Sequence, residues 1–161
     1  MLGENVTPGT AISVLEQPEG ILGLAICSDM DYSDPALSYG RSKVGLLLVP
    51  AWDSYLDESW HGHMAIMRGV ENGYSIVGSS KAGLLTVSDD RGKLLAEIPA
   101  RPDAPFTTLL ARVPVEHDWT LYDVLGDWFA WLNVVLFCGL STLWLPGWKR
   151  PSLSQHEEQA S

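Results

Sequence analysis

Cys27 is the residue of this 161-residue chain whose type and setting best suit covalent chemistry. It follows the apolar run at 21–26 and opens the polar cluster Ser28-Asp29-Met30-Asp31-Tyr32-Ser33-Asp34-Pro35. A thiol at such a strand-to-turn corner is open to substrate and close to backbone N–H groups that stabilise an oxyanion. The competing assignment is a small buried apolar side chain, the commonest use of a free cysteine. Asp29 and Asp31 oppose formation of a thiolate, so activation requires a cation or a positioned base. Lys43 and Lys81 are the candidate cations, although neither spacing demands contact. Asp29 also suits a structural task, accepting backbone N–H bonds in the turn after Cys27. His61-Gly62-His63 presents two imidazoles, but no carboxylate stands at ligand spacing, and no metal or other cofactor is assigned. Cys138 lies in an apolar run and reads as chemically inert.

These residues need elements to position them, and the patterning supplies an α/β order. A short strand is expected at 10–15, a buried strand at 21–26, a helix at 35–43, and a second buried strand at 45–49 stopped by Pro50. A helix follows at 57–72, with Asp57 or Ser59 as N-cap and Gly73 as C-cap. Within it, residues 61, 64, 68 and 71 share one face, and Arg68 and Glu71 stand three apart, close enough to pair. Paired strands are expected at 74–79 and 84–88, a hairpin turn at 89–92 into a strand at 93–98, and a last strand at 107–113. Alternating strands and helices followed by a hairpin argue for a mostly central sheet.

Composition narrows the function. Ten Lys+Arg face twenty Asp+Glu, for a net charge of −10, so phosphate backbones are repelled and nucleic acid is excluded as a partner. An apolar fraction of 46% with seven tryptophans excludes an acidic disordered tail. Two cysteines are too few for a disulfide framework. Mean hydropathy is nevertheless +0.06, and the excess lies at 128–148, a stretch without a charged residue between Asp127 and Lys149-Arg150. As a helix it would extend about 31 Å, enough to cross a hydrocarbon core, with tryptophans at both margins. The expectation is therefore a single C-terminal membrane span. Lys149 and Arg150 would hold the tail at 151–161 in the cytoplasm and the preceding residues outside, in the periplasm or its equivalent. The first residues, MLGENVTPGT, have neither the basic nor the apolar region of a signal peptide.

Several stretches together resemble a known family. Gly23-Leu24-Ala25-Ile26-Cys27-Ser28-Asp29 is similar to the nucleophile motif of the nitrilase (carbon–nitrogen hydrolase) superfamily, in which G-x-x-I-C-x-[DE] ends a core strand. The stretch from Val44 to Asp53 resembles the next strand. His61-x-x-Met64-Ala65-x-x-Arg68-x-x-Glu71-Asn72 resembles the helix after it, and Gly83 to Gly92 the hairpin beyond. Thr120-Leu121-Tyr122-x-x-x-Gly126-Asp127-Trp128, leading into the apolar run, is similar to the C-terminal end of apolipoprotein N-acyltransferases.

The resemblance implies a partial nitrilase-like αββα sandwich followed by a C-terminal transmembrane helix. Residues 1–119 would be the C-terminal half of the domain, 120–150 a linker and span, and 151–161 a polar cytoplasmic tail. It implies a Glu–Lys–Cys triad, with Cys27 as nucleophile. Gly3-Glu4-Asn5-Val6-Thr7-Pro8 resembles the stretch carrying a further site glutamate, Glu4. On that match the catalytic lysine and base glutamate fall upstream of Met1, so the chain by itself is expected not to turn over. The family's acid at Glu71 orders the site, and Asp29 stands for the usual acid after the nucleophile. The implied reaction is a two-step acyl transfer from a phospholipid through Cys27 to the N-terminal amine of a lipoprotein. The alternatives are an amidase of the same superfamily, acting on a small amide with water as acceptor, and a non-catalytic truncated remnant.

Overall fold

Two short apolar runs form the middle of one six-stranded sheet in this computed structural model, which describes residues 9, 11–52, 60–81, 83–100 and 105–144. Strand β1 (Ser13–Gln17) makes a hairpin with β2 (Gly20–Leu24) through Pro18-Glu19. A 3-10 helix (Cys27–Asp31) and helix α1 (Ser33–Arg41) lead to β3 (Leu46–Ala51), and α2 (Trp60–Asn72) leads to β4 (Ser75–Ser80). Strands β2, β3 and β4 are parallel, as crossover connections through helices require. Strands β5 (Leu84–Ser88) and β6 (Leu94–Pro99) extend the sheet as antiparallel neighbours, in the order β1 to β6. Asp89 turns the β5–β6 hairpin by accepting the N–H groups of Arg91 and Lys93.

Strand β3 does not stop at Pro50. It continues to Ala51, pairing Pro50 with Ser79 and Ala51 with Ser80. Successive residues of a strand turn their backbone groups to opposite neighbours. The Leu48 carbonyl accepts from Ala25 on the β2 side, and the Ala51 carbonyl accepts from Lys81 on the β4 side. Pro50 therefore faces β2, whose pairing has ended at Leu24↔Leu48, and its missing N–H breaks no bond.

Helices α1 and α2 pack together, and α2 lies on β4 and β5. The core is Ala25, Met30, Ala36, Tyr39, Val44, Leu47, Val49, Ala65, Tyr74 and Ile76. Both buried phenols are satisfied: Tyr39 donates to the Leu24 carbonyl and Tyr74 to the Ala36 carbonyl. Burial keeps the Tyr74 hydroxyl protonated far beyond the ordinary phenol range. The stripe of α2 turned inward is Ala65, Gly69 and Asn72, so residues 61, 64, 68 and 71 flank the buried face.

The strand expected at 107–113 does not form. Residues 106–119 carry no regular structure, and Leu110 is 94% exposed. An alternating pattern becomes a strand only beside a free strand edge, whereas this segment passes across strand ends. The Val115 carbonyl sits against Gly20 and Gly45, so close that a Cβ on Gly45 would lie 1.9 Å from it. Beyond it, the Asp118 N–H donates to the Gly73 carbonyl. The strap thus covers the N-terminal ends of β2, β3 and β4. It is fastened by α3 (Leu121–Leu125), whose N-cap Thr120 accepts the Asp123 N–H and donates to the Glu71 carbonyl. Asp123 is buried and meets Lys43 Nζ and His117 Nε2, each at 3.2 Å, while His117 Nδ1 lies 3.0 Å from the Val44 carbonyl.

The expected C-terminal transmembrane helix is corrected by the structure. Helix α4 (Trp128–Trp144) has 17 residues, and among the described residues no helix is long and apolar enough to cross a membrane. Seventeen residues rise about 25 Å, short of a hydrocarbon core of about 30 Å. The outside placement drawn from Lys149 and Arg150 rests on a span that the described residues do not show, and residues 145–161 lie outside them. The chain divides into two compact units, residues 1–126 and 127–161. Within α4, Asn133 and Ser141 donate to the carbonyls of Phe129 and Phe137 four residues back, and Thr142 donates to that of Gly139.

Gly45→Ala should lower stability by about 1–3 kcal/mol in urea unfolding, because a methyl group displaces the strap. The same change at Gly139, inside α4 with nothing within 4 Å, should instead favour the helix by up to about 1 kcal/mol. Asp123→Ala should cost about 2–3 kcal/mol by the same measurement, since it leaves buried His117 Nε2 without its partner and removes the carboxylate that Lys43 meets.

Candidate active site

The corner at Cys27 is built by a short strand that ends early. After Leu24, Ala25 still bonds to β3, and the chain then turns so sharply that Cys27 takes φ +47°. A left-handed backbone is uncommon outside glycine, asparagine and aspartate and persists only where the surroundings enforce it. Here Asp29 enforces it. Its carboxylate accepts the Ile26 N–H at 2.8 Å, while its own N–H donates to the Ile26 carbonyl at 3.0 Å. Met30 anchors the 3-10 helix by burial, at 1% exposure.

Helix α2 holds this turn from the other side. Arg68 Nε donates to the Met30 carbonyl at 3.4 Å, and its other guanidinium nitrogen pairs with Glu71 three residues on. Glu71 is thus linked to the turn that carries Cys27 through Arg68 and the Met30 carbonyl. At the start of the same helix, His61 Nδ1 lies 3.2 Å from Asp31 Oδ1.

Cys27 is half-buried and lines a small cleft with Val49 and Ala51 of β3, His61, Gly62 and Ala65 of α2, and Gly78, Ser79 and Ser80 of β4. Most of this lining is small: Ala51, Gly62, Ala65, Gly78, Ser79 and Ser80. Ser28 donates its hydroxyl toward Cys27 Sγ at 3.9 Å.

The structure brings together Cys27, Asp29, Arg68 and Glu71, and adds His61 and Asp31 to them. Glu4 lies outside the described residues. Neither candidate lysine is engaged with Cys27: Lys43 pairs with Asp123, and Lys81 Nζ sits 3.7 Å over the Trp52 ring. His63 is exposed, and among the described residues no group of three His, Cys, Asp or Glu is placed to hold a metal. Cys138 is exposed on α4. The His61–Asp31 contact escaped the sequence reading because 30 positions separate the partners. The available signal was the aspartate directly on each side of Met30, Asp29 and Asp31, in the turn facing the helix.

No family model matches the chain. Two curated relatives do: an apolipoprotein N-acyltransferase of Geobacter metallireducens, 26% identical over 132 residues, and one of Vibrio vulnificus, 28% identical over 121. These cover 80% and 73% of this chain but only 25% and 23% of the relatives, so the chain spans about a quarter of their length. Among solved structures, a branch 10 member of the nitrilase superfamily from Saccharomyces cerevisiae aligns with TM-score 0.56 and 25% identity, over 60% of this chain and 40% of its own. A cysteine-to-alanine mutant of an amidase from Nesterenkonia AN1 aligns with TM-score 0.54 and 21% identity, over 81% and 50%. In another structure of that amidase, acrylamide has added to the active-site cysteine. With the parallel core strands and the Cys27 corner between β2 and the 3-10 helix, these likenesses support a carbon–nitrogen hydrolase fold, that of the nitrilase superfamily, for this chain.

Proposed function

We propose that Cys27 is the nucleophile of a thiol-mediated acyl transfer of the apolipoprotein N-acyltransferase kind. The observation that carries this reading is the enforced left-handed corner, which points a half-buried thiol into a cleft lined by small residues. In the first step the thiol attacks the ester carbonyl of a phospholipid. The ester C–O bond breaks, an alcohol leaves, and a thioester remains on Cys27. In the second step the N-terminal amine of a lipoprotein attacks that thioester, forming the amide and restoring the thiol. A covalent intermediate lets two bulky lipids use one site in turn. Both partners are lipid-bearing, so the reaction belongs at a membrane surface.

In the same reading Glu4 contributes a site carboxylate, and Glu71 keeps the corner in place through Arg68. Cys27 is half-buried beside backbone N–H groups of the 3-10 helix, which suits an oxyanion formed at the attacked carbonyl. A second reading, an amidase with water as acceptor, is favoured by the small size of the residues lining the cleft and by the amidase structures with the same fold.

A p-nitrophenyl acyl ester needs little help to lose its leaving group, so it tests Cys27 directly. The intact chain should take up one hydroxylamine-labile acyl group, at least about tenfold faster on Cys27 than on Cys138, as peptide mass spectrometry would resolve. Cys27→Ala should abolish it. Equal labelling of both cysteines would remove the basis for the reading. Adding a peptide with an N-terminal amine separates the two readings: amide product supports acyl transfer, and free acid alone supports the amidase.

A further inference from the structure

We propose that the strap over the N-terminal strand ends is closed by a proton held between His117 and Asp123, and that it loosens as the pH rises through the range in which histidine titrates. Both ring nitrogens of His117 face acceptors: Nδ1 lies 3.0 Å from the Val44 carbonyl, and Nε2 lies 3.2 Å from Asp123 Oδ2. A carbonyl and a carboxylate only accept, whereas a neutral imidazole carries a single N–H. Both contacts are hydrogen bonds only when the pair holds one proton more than a neutral ring beside a carboxylate. The two side chains are 9% and 3% exposed, so water is poorly placed to replace a lost bond.

Each partner comes from a different part of the chain. Asp123 belongs to α3, and Val44 leads into β3. His117 lies on the strap between Val115, whose carbonyl sits against Gly45, and Asp118, whose N–H donates to the Gly73 carbonyl. The ring therefore pins the strap between its two backbone contacts. Lys43 gives an independent sign that this junction is built for charge. It follows the end of α1 at φ +60°, a position that glycine or asparagine usually takes. The lysine tolerated there places Nζ 3.2 Å from the same Asp123 oxygen.

The surrounding charges set the sign. Asp123 favours the proton on the ring. Lys43 opposes it, though only weakly, because its side chain is 56% exposed and water screens it. Arg41 Nε donates to the Asp123 backbone carbonyl at 3.4 Å. On the strap itself Glu116 is exposed, and Asp118 meets Arg91. Histidine ordinarily changes charge between about pH 5 and 8. Below that range the pair keeps both bonds. Above it the ring has one N–H, and one of the two contacts becomes a lone pair facing an acceptor. The closed strap thus binds a proton that the open strap releases, and opening becomes easier as the pH rises.

Hydrogen exchange of the full chain tests this, read by mass spectrometry as protection factors for peptides spanning 115–126 against those of β3 and β4. Between about pH 6 and about pH 8.5 protection at 115–126 should fall at least about tenfold, while the sheet peptides hold. His117→Gln, which takes up no proton, should give a flat profile at 115–126. Lys43→Gln, at a half-exposed side chain, should move the fall to higher pH, because the opposing charge is gone. Unchanged protection of β3 and β4 shows that each variant is folded. A flat wild-type profile, or a His117→Gln chain that keeps the full pH dependence, overturns the proposal. Should His117→Gln fail to fold, the Lys43→Gln chain decides: a fall at unchanged or lower pH overturns the proposal as well.

Discussion

The active corner depends on a mismatch in strand length, and one missing N–H sets it. Strand β2 pairs with β3 only as far as Leu24↔Leu48, whereas β3 and β4 run together to Ala51↔Ser80. To extend β2 by one more step, the Ala25 carbonyl would need a donor from Pro50, which has none. Chain beyond Ala25 must therefore leave the sheet while its neighbours continue. The step this creates is floored by Val49 and Ala51 and walled by Ser79 and Ser80, and Cys27 turns into it. An imino acid in one strand thus decides where the neighbouring strand ends and Cys27 sits.

Such a corner must be held against its own backbone strain, and the holding is local and paired. Asp29 exchanges bonds with Ile26 in both directions, so the turn closes without help from outside. Arg68 then ties the turn to α2, with Glu71 supplying the compensating charge. Glu71 is also joined, through its carbonyl, to Thr120 at the start of α3. The strap across the lower strand ends and the corner at the upper ends are consequently linked through a single turn of α2. Tight glycines at 45 and 73 let the strap lie against the strand ends at a distance no side chain permits.

Many elements were legible because they follow from local rules. Strand–helix alternation placed β2, α1, β3 and α2 within a few residues, and Asp89 with Gly92 marked the β5–β6 turn. Pro50 was read as a strand stop, since proline cannot donate; in the fold it stops the neighbouring strand instead, because its nitrogen faces away from β4. The pattern at 107–113 resembled a strand, but pairing needs an edge beside it, and the segment lies over strand ends. The apolar run at 128–148 resembled a span on length and charge alone, yet the described helix ends at Trp144, short of membrane thickness. Asp123 gave no signal at all: an acid in a short helix becomes a buried anchor only once Lys43 and His117 converge on it.

By itself the sequence determined the α/β order, the candidate cysteine corner and the resemblance to carbon–nitrogen hydrolases, because each rests on neighbouring residues and their spacing. Cys27, Asp29 and the Arg68–Glu71 pair lie within a few positions of their partners or on one helical face, where periodicity is enough. Only the tertiary structure decided that His61 and Asp31 meet, that the two lysines are spent on Asp123 and Trp52, and that β3 runs on to Ala51 after its pairing with β2 ends at Leu48. Those outcomes depend on which strands and helices pack side by side, and distance along the chain does not encode distance across a sheet.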